Sequence, residues 1–194
     1  LIRGLNEHKL TRDVHQPEVE GAIESFELAF RMQDEVPGVL DMRSEPESVR
    51  KLYGIGSGQD QFARQCLLAR RLAEAGVRFI EITSSVHWDH HNLLKDSLAK
   101  SCAATDQPIA ALLTDLKQRD LLKDTLVIWA GEFGRTPYNQ GFDGRDHNHK
   151  GYSIWMAGGG VRGGLAYGAT DDIGYKAVEN PVHIHDWHAT ILHL

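Results

Sequence analysis

Thr125-Leu126-Val127-Ile128-Trp129-Ala130-Gly131-Glu132-Phe133-Gly134-Arg135-Thr136-Pro137 is the stretch on which the reading of the fold turns. Its first six residues are almost wholly apolar, which predicts a strand covered on both faces. The run breaks at Gly131, and Glu132 follows at once, where a charge is unfavourable unless it is paired or metal-bound. Arg135 is the obvious partner, and its planar fork also suits a tetrahedral anion.

Upstream, Phe62, Cys66, Ala69 and Leu72 form the inner stripe of a helix that Gly76 ends. Val77-Arg78-Phe79-Ile80-Glu81-Ile82 follows as an expected strand. A polar segment, Thr83 to Asn92, leads into a long helix carrying Leu94, Leu98, Ile109, Leu112, Leu113 and Leu116, which Pro108 should kink or split. Downstream, Tyr152 to Ala157 is a third expected strand, closed by Gly158-Gly159-Gly160, and a last helix opens near His185. The alternation predicts an α/β fold, a layered domain with a mostly parallel sheet flanked by helices.

The first third is helical and irregular. Ile23, Phe26 and Phe30 predict an amphipathic helix over about residues 18–34. Ser44-Glu45-Pro46-Glu47 reads as a capping box, with Gly54 as the stop. Gly54, Gly56 and Gly58 read as a turn, because no strand precedes them and no Lys-Ser/Thr pair follows. Residues 1–58 are thus a helical segment of the same domain as an α/β region over 59–194.

The 194 residues suffice for one domain with a sizeable core. Hydrophobic residues at 41% and charged residues at 25% are ordinary for a globular protein, and the net charge of −6 argues against a nucleic-acid partner. No apolar run approaches the ~20 residues of a membrane helix, and Leu1 to Thr11 lack the apolar centre of a signal peptide. Cys66 and Cys102 read as two buried thiols. His8, His15 and the basic residues of the helices read as surface. The first residue is not Met and Ile191-Leu192-His193-Leu194 ends inside an apolar helical pattern, so a chain cut at both ends is expected.

Of the eleven histidines, nine fall at or after His87, a clustering that suits a metal or proton-transfer site. Ligands of open α/β sheets bind beyond the carboxyl ends of strands. Two clusters follow expected strands there, His87-Trp88-Asp89-His90-His91-Asn92 and Gly131 to Pro137. A third, Gly144-Arg145-Asp146-His147-Asn148-His149-Lys150-Gly151, precedes one. Carboxylate oxygen with imidazole nitrogen is a ligand set for zinc, manganese or iron, whereas calcium and magnesium prefer oxygen alone. Ser84 and Ser85 lie near the first cluster but lack the Gly-x-Ser-x-Gly setting of a nucleophile.

Together, Trp88-Asp89-His90-His91, the Thr125 to Pro137 stretch, Gly144-Arg145-Asp146-His147 running into Ser153 to Val161, and Asn180 to Leu192 resemble the DUF1501 family. That family is sulfatase-like and belongs to the alkaline phosphatase superfamily, whose members clamp a phosphate or sulfate ester between metal ions. The resemblance covers about Gln59 to Leu194 and implies an alkaline-phosphatase-like fold. It implies a metal-dependent ester hydrolase with a small-molecule or polysaccharide substrate. One or two divalent ions are implied, zinc first, with manganese or calcium as alternatives. Asp89, His91 and His147 would bind one ion, with His149 as a rival of His147. Glu132 would serve the second ion and Arg135 would hold the anion as the catalytic residue. Phe133 stands where relatives carry a second-site His, which favours a non-catalytic binding protein as the alternative. The nucleophile is expected outside this chain, and an exported location is implied. Because His147 precedes its strand while Asp89 and Glu132 follow theirs, the shared site requires the Tyr152 strand to run antiparallel or the loop to fold back across the sheet.

Overall fold

The computed structural model describes residues 17–56, 58, 60–84 and 86–194. Leu1 to Thr11, His8, His15 and Ser85 lie outside the described residues. The chain divides into two compact units, Leu1–Ser44 and Glu45–Leu194.

In the first unit, helix α1 (Pro17–Leu40) extends past the expected end and is followed by a 3-10 turn, Met42–Ser44. Phe26 and Phe30 stand exposed on it.

The second unit begins with three helices, α2 (Glu47–Tyr53), α3 (Gln61–Glu74) and α4 (Leu94–Gln118). The apolar stripe of α3, with Phe62, Cys66 and Ala69 buried, packs against Ala111, Leu112 and Leu116 of α4 and Tyr53 of α2. Helix α4 runs unbroken through Pro108, so the expected split does not occur. The ring removes one hydrogen bond, that of its missing N–H, while Pro108 itself is buried.

An ionic hub sits inside this apolar packing. Arg70, expected on the surface, is 1% exposed and pairs with Glu45 at 2.7 Å, Glu74 at 2.6 Å and Asp115 at 2.9 Å. Tyr53 donates its hydroxyl to Asp115 at 3.1 Å, and Arg119 reaches both Asp115 and Glu74. A guanidinium can be buried here because carboxylates meet it on several sides. The hub also displaces the expected capping box. Glu45 turns inward to Arg70 and Arg71, Pro46 is the N-cap of α2, and Ser44 donates to the Asp41 carbonyl instead. Cys66 is buried, but Cys102 is exposed, since it lies on the outer side of α4; both are free thiols.

The remaining elements are β1 (Val127–Trp129), β2 (Gly134–Arg135), β3 (His147–Asn148), β4 (Trp155–Ala157), β5 (Ala169–Thr170), β6 (Ala177–Glu179) and α5 (Ile184–His193). They form three two-stranded antiparallel ladders, β1 with β4, β2 with β3 and β5 with β6. The mixture of helix and strand agrees with the expected class, whereas the mostly parallel, alkaline-phosphatase-like sheet is not what forms. Parallel neighbours need a crossover, usually helical, that returns the chain to the starting end. Residues 130–154 contain no helix and fold instead into the β2/β3 ladder, so β4 comes back antiparallel. Val77–Ile82 joins no ladder among the described residues. Its apolar side chains line a cavity of about 1180 Å³ that α3, α4 and β1 also wall. A two-stranded sheet cannot cover both its faces, so Ile128 is 36% exposed rather than buried. Gly158, at φ 75°, closes β4 tightly, because a Cβ there would lie 2.3 Å from the Leu122 carbonyl oxygen.

Removing Arg70 takes the central counter-charge from buried Glu45 and Asp115 and leaves them only the more peripheral Arg71 and Arg119. Arg70→Ala is expected to destabilise the protein by about 3–5 kcal/mol. Urea denaturation checks this; a loss below about 1 kcal/mol, typical of a surface pair, would contradict the hub.

Candidate metal centre

The segment that follows Ile82 brings Asp89 and His91 into place through tight backbone turns, His90 N–H to Trp88 O and His91 N–H to Asp89 O, each 3.1 Å. Two contacts anchor it. Ser101 of α4 donates to the His87 carbonyl at 2.8 Å, and the Trp88 ring meets Trp129 of β1 edge-on at 5.9 Å. The β2/β3 ladder delivers the other side of the site, because Arg135 and His147 are direct cross-strand partners. Of the two arrangements that would allow a shared site, an antiparallel β4 is the one observed, since β4 pairs antiparallel with β1.

Asp89 Oδ1 is the meeting point. Arg135 Nη1 donates to it at 2.6 Å, and His91 Nε2 and His147 Nε2 each lie 3.0 Å away. One potential ligand atom from each of Asp89, His91 and His147 lies within 4.8 Å of the others, the condition for sharing an ion. The imidazoles of His91 and His147 are 4.9 Å apart, and Phe133 backs His147 at 4.3 Å between ring centres. Tetrahedral zinc with bonds of 2.0–2.1 Å separates its ligand atoms by about 3.3 Å. The spacings at Asp89 need only open by a few tenths of an ångström to fit.

Hydrogen bonds from Arg135 and then His147 hold the Asp89 carboxyl low, at about 2, so it is ionised at any ordinary pH. His90, between the two ligands, is 6% exposed with Nε2 unpartnered. Burial, with the charges of His87 and Arg135, lowers its pKa and favours the neutral ring.

Glu132 stands outside this cluster. Its carboxylate is 66% exposed and 3.7 Å from Arg135 Nη2, so the desolvation argument made for it from sequence does not apply. His149 is exposed and outside the cluster as well. His183 caps α5 by accepting from the His185 amide, and Asp186 completes that capping box. Ser84 accepts a hydrogen bond from the Val86 amide.

Sequence reasoning passed over residues 139–143, which with Gly144 and Arg145 of the third cluster buttress the ligand segment. Arg145 N–H donates to His90 O at 2.9 Å, and Leu93 N–H donates to Asp143 Oδ1 at 2.8 Å. Gly144 lies so close that a Cβ there would fall 1.7 Å from the His91 carbonyl oxygen. His91 Nδ1 meets Gln140 Oε1. The only available signal was the turn composition of Gly141-Phe142-Asp143-Gly144.

Because the folded-state carboxyl of Asp89 is depressed, the stabilisation it supplies is present above the ordinary aspartate range and is lost as pH falls through about 2. Carbon-13 NMR of the Asp89 carboxyl should therefore show a midpoint near 2 in metal-free protein. Arg135→Met should move it up towards about 3.9; a midpoint already there in the unaltered protein would rule out the ion pair.

No curated protein and no solved structure matches the chain. The family described as "Protein of unknown function (DUF1501)" matches residues 1–194, and the chain belongs to it.

Proposed function

We propose that the chain carries the metal centre of a metal-dependent hydrolase acting on a phosphate or sulfate ester, in the manner of the sulfatase-like proteins of the alkaline phosphatase superfamily that its motifs resemble. The observation that supports this is the convergence of Asp89, His91 and His147 from two distant segments within 4.8 Å. Mixed oxygen and nitrogen ligands favour zinc, with manganese next. When bound, such an ion supplies Lewis-acid charge to an ester oxygen. Asp89 contributes a carboxylate that is ionised at working pH, and the two histidines contribute Nε2 atoms from opposite walls. Arg135, against the same carboxylate, offers a two-pronged donor for the ester oxyanion. Glu132, 3.7 Å from Arg135, orients that guanidinium and is the candidate for a second ion.

A non-catalytic binding protein is the second reading. It is favoured by the position of Glu132 outside the cluster and by the direct Arg135–Asp89 pair, which satisfies the carboxylate without an ion.

Zinc content at neutral pH and hydrolysis of p-nitrophenyl phosphate and sulfate by the full-length protein separate these readings. The expected result is one zinc per chain, with affinity reduced by at least about a hundred-fold in His147→Ala, and turnover of one of the two esters. Zinc bound without turnover of either supports the binding reading. No transition metal at neutral pH sinks both the metal centre and the hydrolase.

A further inference from the structure

His91 is engaged at both ring nitrogens. Nε2 lies 3.0 Å from Asp89 Oδ1, and Nδ1 meets the side-chain oxygen of Gln140. A carboxamide oxygen only accepts hydrogen bonds, so Nδ1 donates in this contact. Nε2 faces the Asp89 carboxylate oxygen and is the ring atom that an ion shared with Asp89 and His147 would take.

The placement of Gln140 is built by its backbone. Gln140 and Gly144 exchange backbone hydrogen bonds at 3.0 and 3.1 Å, which closes the loop on itself. The closed loop is fastened to the ligand segment by Arg145 N–H on His90 O and by Asp143 on Leu93 N–H. Gly144 lets the two backbones touch beside His91 itself. The distance from Gln140 to the imidazole is therefore set by main-chain contacts on either side of it.

We propose that Gln140 is a positioning residue of the metal centre, which fixes the His91 ring orientation so that Nε2 faces the ion. This rests on the metal-centre reading above. The acceptor is a neutral amide rather than the carboxylate that often backs a metal-binding histidine, so it orients His91 while adding no negative charge. Affinity at the site is then adjustable through this one side chain.

Two measurements on the full chain test the proposal. Long-range proton–nitrogen NMR of the zinc-loaded chain should show zinc on Nε2 of His91 and a proton on Nδ1, and Gln140→Leu should lose that single arrangement. Zinc affinity, measured by competition with a chelating dye, should fall about 10- to 100-fold in Gln140→Leu. Gln140→Glu has the same shape and adds charge, so it should bind zinc at least as tightly as the unaltered chain. A purely structural role for Gln140 would not make the two variants diverge in this way. Zinc on Nδ1 of His91 in the unaltered chain, or an arrangement and affinity unchanged in Gln140→Leu, overturns the proposal at the level of the ring. If the unaltered chain takes up no zinc, the metal-centre reading has failed and the proposed role falls with it. Should Gln140→Leu not fold, the comparison of Gln140→Glu with the unaltered chain decides: weaker zinc binding by Gln140→Glu refutes the role.

Discussion

A single oxygen atom, Asp89 Oδ1, organises the functional face of this protein. Three nitrogen groups approach it within 2.6 to 3.0 Å, one from its own segment and two from the β2/β3 ladder. Residues 46 and 58 positions away in sequence are thereby gathered around one charge. Without that charge, a guanidinium and two imidazoles would face one another with no anion between them. The ladder geometry explains why the gathering is reliable: Arg135 and His147 are registered opposite each other by backbone hydrogen bonds before either side chain chooses a partner.

The buried charges and the candidate ligands occupy different parts of the second unit. Its buried charges lie among α2, α3 and α4, where Arg70 is surrounded by Glu45, Glu74 and Asp115. Such a hub adds little net stability over an apolar core of the same shape, but it penalises any helix arrangement that leaves a charge unmatched. The metal-ligand candidates are partly solvent-exposed, at 35% to 46% of the side chain. Ser101 links the two regions, as its hydroxyl reaches from α4 to the carbonyl of His87, two residues before Asp89.

What could be read from sequence followed from periodicity and composition. The inner stripe of α3, the glycine stop after α2, the helix opening at the end of the chain and the clusters around Asp89, Glu132 and His147 were all visible that way, whereas the choice of Asp89, His91 and His147 as ligands came from the family resemblance. What was hidden depended on tertiary partners. Val77–Ile82 has the composition of a strand, but strand formation needs a neighbour to complete its hydrogen bonds, and its apolar side chains line a cavity instead. Arg70 looked like a surface residue because an arginine on a helix gives no sign of three carboxylates arriving from elsewhere. Gln140 was invisible for a similar reason: a glutamine in a polar loop acquires a role only through the ring it meets. Glu132 misled in the opposite sense, since its cost next to an apolar run assumed a sheet covered on both sides, and a two-stranded one leaves it in water.

The β1/β4 ladder has a further consequence for how this site can change over evolutionary time. Because β4 returns beside β1, residues 130–154 leave the scaffold and rejoin it at one end. Glu132, Arg135, Gln140, Gly144 and His147 all belong to that excursion, while Asp89 and His91 come from a single separate segment. Variation within the excursion can therefore alter the proposed anion clamp, one candidate ligand and the support of another together. A change confined to one contiguous insert would thus reach every part of the candidate site except Asp89 and His91.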